Sequence, residues 1–206
     1  MSEKYRFRAS FSILNAWKQG QWEEALKSYF NIPRPVTPQM IAGRKFHKQW
    51  QKETEATGKL PRIFGDKQLN NPKCEQKYVI DLTGRLSWLT LVGVLDTETE
   101  TEIFDYKSGI SSSSQYANNE QIYMYALMKY LLGDPKQMGV VFHYNQYIKK
   151  VDTSYIWFTK ARLKKVSDWI ENVASDMYSV IVKENYYEKY GSAKNKKYGR
   201  KAKITS

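Results

Sequence analysis

Residues 93–96, Gly93-Val94-Leu95-Asp96, and 103–109, Ile103-Phe104-Asp105-Tyr106-Lys107-Ser108-Gly109, decide how this chain is read. Both are apolar, strand-forming runs that carry ionisable side chains where a core strand does not tolerate them. The first closes a long run, Leu86–Asp96, on a carboxylate. In the second, the two-residue period of a strand puts Asp105 and Lys107 on one face and Tyr106 on the other. If the two strands pair, Asp96 comes near both Asp105 and Lys107. Two carboxylates and an ammonium converging there are costly unless something uses them. A divalent cation with oxygen ligands, such as Mg²⁺, is one such user. A protonated lysine cannot be a ligand, but it can hold a water or stabilise charge on a phosphate. Taken alone, Asp105-x-Lys107 is an ordinary salt bridge at strand ends.

Working outward, Lys77–Leu82, a Thr83-Gly84 turn, Leu86–Asp96 and Glu102–Lys107 predict an antiparallel meander. The alternating Thr/Glu run 97–102 reads as its solvated hairpin end. Upstream, residues 10–30 predict one or two short helices, and Thr37-Pro38 is an N-cap and first-turn pair opening a helix over 38–56. Met40, Gly43, His47 and Trp50 share one face of it. Downstream, Gly109 and Ser111–Ser114 predict a mobile loop. A helix then runs from Asn118 or Asn119 to Leu132, stopped by Gly133-Asp134-Pro135. Strands over Gln137–Lys149 and Val151–Phe158 follow. A helix over 160–186, capped by Thr159, has Leu163, Val166, Ile170, Val173, Met177 and Ile181 on one stripe. The order predicts an α/β fold, a mixed β-sheet flanked by helices. One domain over 1–188, with a helical N-terminal part over 1–35, is followed by a basic, disordered tail over 189–206.

Composition bounds the function. The 206 residues are 41% hydrophobic and include 6 Trp, 16 Tyr and 8 Phe, which excludes a wholly disordered chain. The net charge of +12 divides unevenly: +6 over residues 1–60, −3 over 61–135, +2 over 136–188 and +7 over 189–206. A basic chain with an acidic middle fits a polyanion binder that gathers its carboxylates in one place. Cys74 is the only cysteine, so no intramolecular disulfide and no cysteine-held cluster can form from this chain alone. No apolar run approaches the length of a membrane span, and the N-terminus shows no secretory pattern. The expectation is an intracellular protein, cytoplasmic or nucleoid-associated, with no membrane partner.

Gly93-x-x-Asp96, Asp105-Tyr106-Lys107-Ser108-Gly109 and Gln121-x-x-x-Tyr125, preceded by His47 on a helix, form an ordered pattern. It resembles the RecB-like branch of the PD-(D/E)XK nuclease superfamily, and Phe11-Ser12, Trp17 and Gly43-x-x-x-His47 look like that family's opening. The resemblance spans residues 10–130. It implies a restriction-endonuclease-like core and a metal-dependent DNA nuclease, an exonuclease acting on DNA ends or single strands in repair or recombination. It also implies specific roles. Asp96 and Asp105 would ligate Mg²⁺ or Mn²⁺ with the Tyr106 carbonyl, and His47 would complete the site or approach a second metal. Lys107 would position the hydrolytic water, while Gln121 and Tyr125 would orient Lys107 or contact a phosphate. Glu75 stands where the family often has an acidic residue. DNA is the implied partner, with a helicase or other recombination protein as a possible recruiter; no helicase motif is present in the chain itself. The alternatives are a structure-selective or restriction-type endonuclease, and a nucleic-acid-binding module of the same fold without catalysis. Singly, His47 reads as a core histidine beside Trp50, Tyr125 as a core aromatic, Gln121 as a solvated helix residue and His143 as structural. Tyr116, Tyr123, Tyr186 and Tyr187 are candidates for stacking on bases.

Overall fold

The long apolar run 89–98 sits where its pattern puts it, at the centre of a mixed sheet. The structure is a computed structural model that describes residues 6–109, 112–118 and 120–190. Its strands are β1 (Phe7–Ala9), β2 (Lys73–Asp81), β3 (Leu89–Glu98), β4 (Glu102–Gly109), β5 (Met138–Asn145) and β6 (Lys150–Trp157). The helices are α1 (Phe11–Lys18), α2 (Trp22–Tyr29), α3 (Pro38–Thr57), α4 (Ser113–Ala117), α5 (Glu120–Leu131) and α6 (Lys160–Lys183). β2 pairs antiparallel with β3 along most of its length, from Lys73↔Glu98 to Asp81↔Thr90. The opposite edge of β3 is shared. β1 runs parallel to it over Leu89–Leu91, and β4 pairs antiparallel only at Thr97 and Glu98. Residues 92–96 therefore have no ladder partner on that edge. The sheet forks there, and β4 continues into parallel β5 and antiparallel β6.

Two hydrophobic clusters hold this sheet. α5 and α6 cover one face through Ile122, Met124, Met128, Val166, Ile170 and Met177, packed on Leu89, Leu91, Leu95 and Ile103. α3 covers part of the other, with Trp50, Phe64, Phe104, Tyr106 and Phe142 as its core. α3 keeps the ends that its sequence encodes. Thr37 Oγ1 accepts from the Met40 amide at 3.2 Å, Pro38 opens the helix and Gly58 closes it in the left-handed conformation.

Four expectations are corrected. The N-terminal part is not purely helical: Phe7–Ala9 joins the sheet, Phe7 and Ala9 being fully buried. Ser113–Ser114 belong to α4 rather than to a loop; Ile110 and Ser111 lie outside the described residues, as do Asn119 and 191–206 of the expected tail. A further helical turn over 186–190 packs Tyr187 and Tyr190 onto α2 and Phe30. The Thr/Glu hairpin end is solvated only at its turn, where Glu100 and Thr101 are exposed; Thr97, Glu98 and Thr99 are buried. Glu98 is 1% exposed and accepts from Lys129 Nζ at 3.2 Å, and Tyr78 donates to the same carboxylate. Lys129 also meets Asp134 at 2.7 Å, and Lys136 Nζ caps the Thr99 carbonyl at 2.7 Å. A buried charge is tolerable only when so enclosed by partners.

Lys129→Met leaves Glu98 buried without its cation and is expected to cost about 3–5 kcal/mol in urea unfolding. The double variant Lys129→Met/Glu98→Leu is expected to recover much of that loss. A single variant as stable as the parent would show that the pair carries no such weight.

Candidate metal centre

The fork in β3 is where the ionisable residues meet. Asp96 lies at the end of its unpaired stretch and bridges the gap: Oδ2 accepts the Tyr106 backbone N–H at 2.7 Å. A side chain thus replaces a missing rung of the ladder between β3 and β4. Its other oxygen, Oδ1, lies 3.4 Å from His47 Nδ1 on α3. His47 is held there because Trp50, one turn on, is anchored between Phe46, Phe64 and Tyr106. From the β2 side comes Glu75, whose backbone is left-handed at φ 50°. A non-glycine residue in that conformation within a strand is strained by about 1 kcal/mol or more. Ligand atoms of His47, Glu75 and Asp96 lie within 4.8 Å of one another.

The electrostatics follow from this crowding. Burial, and then the nearby Asp96 charge, hold the Glu75 carboxyl above its ordinary range. Burial works to lower the His47 value, but the bond and charge of Asp96 outweigh it, so the imidazole keeps its proton to higher pH than usual. One imidazole and two carboxylates form a set of donors that could hold a divalent cation, and a cation would relieve the repulsion between the carboxylates.

Asp105 and Lys107 form a second pair beside this cluster, on one face as the strand period requires. Asp105 stands next to the His47–Glu75–Asp96 cluster, and its buried carboxylate accepts from Lys107 Nζ at 2.9 Å. Burial pushes the Asp105 carboxyl up, against the pull of Lys107. Burial opposes the Lys107 charge too, but Asp105 and Asp96 together keep it a firmly protonated ammonium. Tyr106 turns its ring away into the second core, stacked on Phe64 at 5.1 Å. On α5, Gln121 Nε2 donates to Tyr125 Oη at 2.9 Å, and Tyr125 packs under the fork. The phenol is pushed up to about 12, first by burial and then by Asp105. Gly93 lets Tyr125 pack this closely, since a Cβ there would lie 3.0 Å from the Tyr125 ring and 3.1 Å from Met128 Sδ.

The base-stacking candidates are otherwise engaged. Tyr116 stacks on His143 at 5.8 Å and stands 5.7 Å from Lys107 Nζ. Arg162 lies over Tyr123, Tyr187 bonds Tyr29, and Tyr186 stacks on Tyr190. Sequence reasoning passed over Arg44 and Lys48. They flank His47 on α3 and line the cleft of about 510 Å³ that opens onto Glu75, Val94 and Asp96. Their signal was present in the helical spacing, one turn before His47 and one residue after it.

No family model matches the chain, and no curated protein matches it. Solved structures do. A crystal structure of SSO0001 is 13% identical, with 86% of this chain and 78% of that chain covered and a TM-score of 0.55. A candidate exonuclease from Eubacterium rectale is also 13% identical, over 89% of this chain and 82% of that one, with a TM-score of 0.55. An alkaline exonuclease from Laribacter hongkongensis is 11% identical, over 92% and 95%, with a TM-score of 0.50. At such identities the likeness is one of fold, and it agrees with the mixed sheet flanked by helices.

Mn²⁺ or Mg²⁺ is expected to raise the thermal midpoint, by the equivalent of about 2.7 kcal/mol at a hundredfold excess over Kd. EDTA should reverse the shift and Asp96→Ala should abolish it. Because ligands bind deprotonated and both Glu75 and His47 hold their protons to higher pH than usual, affinity should climb as pH rises through their titration. A midpoint indifferent to either cation would remove the centre.

Proposed function

We propose that the protein is a metal-dependent nuclease that hydrolyses DNA phosphodiester bonds, as an exonuclease working on ends or single strands. The observation that carries this reading is the fork itself. It gathers His47, Glu75, Asp96, Asp105 and Lys107 beside a cleft whose α3 wall presents Arg44 and Lys48. Two of the structures that share the fold are named as exonucleases, which supports the same choice.

In this reading His47, Glu75 and Asp96 hold a Mg²⁺ or Mn²⁺ ion, with Asp105 and the Tyr106 carbonyl as further ligands. Bound there, the ion would act as a Lewis acid on the phosphate and lower the pKa of a water. The remaining work belongs to the chain. Lys107, kept protonated by its carboxylate neighbours, donates to the attacking water or to a non-bridging phosphate oxygen and stabilises the charge that builds in the transition state. Asp105 fixes the direction of that ammonium. Tyr125, bonded to Gln121, closes the floor of the fork and limits water on the α5 side. Arg44 and Lys48 attract the phosphate backbone without reading sequence.

Lys107→Ala and Asp96→Ala are expected to lower cleavage of linear DNA in Mg²⁺ by about 10²–10³-fold or more at saturating substrate, while binding is largely kept. End-labelled linear DNA should be shortened, and closed circular DNA should survive. Unchanged cleavage in both variants would discard the site, and nicking of closed circles would replace the exonuclease by an endonuclease.

A further inference from the structure

Beyond the cluster, one face of β2 and β3 is left uncovered. Lys77 and Val79 on β2, Val92 and Val94 on β3 and Arg8 on β1 look out from it, and Val79 and Val94 are 49% and 39% exposed. α5 and α6 cover the opposite face, and α3 reaches only the end that carries the cluster. The cleft at the cluster shares Val94 with a second cleft of about 580 Å³ along Val92–Val94. That one shares Val92 with a third, of about 870 Å³, lined by Arg8 and Lys77. The three form one groove, starting at His47, Glu75 and Asp96 and running back along β3.

Its charges are distinctive. Among the described residues Arg8, Lys77, Arg44 and Lys48 make no ion pair, whereas Lys27 and Arg34 on the far rim are held by Glu23 and Glu24. Unpaired cations along a floor of bare valines suit a ligand anionic on one edge and flat and apolar on the other. A duplex hides its base faces, and a lipid surface cannot enter a groove. An unpaired nucleic-acid strand has both properties.

We propose that this face is the track by which a single strand of nucleic acid reaches the cluster, its backbone held first by Lys77 and then by Arg8. The proposal rests on the nuclease reading for its direction, toward the cluster, but its binding test does not need cleavage. Register fixes the spacing. Lys77 pairs with Val94 and Arg8 with Thr90, two and six residues from Asp96. At about 3.3 Å per strand residue these are about 7 and about 20 Å away. At a stacked rise of about 3.4 Å they correspond to about two and about six nucleotides.

The test is fluorescence anisotropy of the full chain in EDTA, with labelled oligothymidylates of four and twelve nucleotides and a twelve-base-pair duplex. Lys77→Ala should weaken both single strands several-fold. Arg8→Ala should weaken only the twelve-mer and reduce its salt slope by about 0.7. Val79→Asp, at a half-exposed strand position and with folding checked by its thermal midpoint, should weaken the twelve-mer as well. Any other length dependence of Arg8→Ala, wild-type affinity in all three variants, or tighter binding of duplex than of single strand overturns the track. Wild-type protein that binds in this pattern but cleaves nothing would sink the nuclease reading and leave the track standing. Cleavage with unaltered binding in the variants would do the reverse.

Discussion

A single hydrogen bond, from the Tyr106 amide to Asp96 Oδ2, makes the rest of the site possible. β3 loses its strand partner between β1 and β4, and an unpaired edge inside a sheet leaves backbone polar groups without a ladder. Asp96 spans that opening with its own carboxylate. In doing so it ties the β2–β3 pair to the β4–β5–β6 half of the sheet at the point where the two would otherwise part. The same residue holds His47 with its second oxygen. The bond that closes the sheet and the contact that holds His47 thus belong to one residue.

The fork also marks the seam between the two hydrophobic clusters. α3 belongs to one through Trp50, and α5 to the other through Ile122, Tyr125 and Met128. His47 and Tyr125 are therefore each fixed by a different core and brought to the same opening from opposite faces. Residues carried on packed helices and strands are held more sharply than residues on loops. His47, Asp96 and Lys107 stay partly exposed at the seam, and the buried Asp105 is held there by Lys107.

Much of this was legible from the residues. The ends of α3 are written in Thr37, Pro38 and Gly58. The stripe Val166, Ile170, Met177 and Ile181 gives the inner face of α6, and the two-residue period puts Asp105 beside Lys107. What escaped the reading depends on contacts distant in sequence. β1 has three residues, too few for a period, and exists because Leu89–Leu91 offers a parallel partner. Glu98 alternates with threonines as a solvated strand end would, and is buried because Lys129 and Tyr78 arrive from other elements. Glu75 stood out in the sequence only by its place before the strand, and it meets His47 and Asp96 through a left-handed backbone that residue types do not report.

That geometry at Glu75 has a consequence for the sheet as a whole. A one-residue slip turns every side chain of a strand to the other face, so the buried face of the β2–β3 ribbon specifies its register, and a backbone irregularity marks it further. In β2 the mark is a left-handed residue in mid-strand, placed opposite Asp96 between the Cys74↔Thr97 and Gln76↔Leu95 pairs. A slip by one position would ask Cys74 or Gln76 to adopt that conformation and would carry the carboxylate away from its partners. The strained residue thus works as a second pin through the β2–β3 ribbon, beside the buried face, and the uncovered valines and cations farther along are aligned by both.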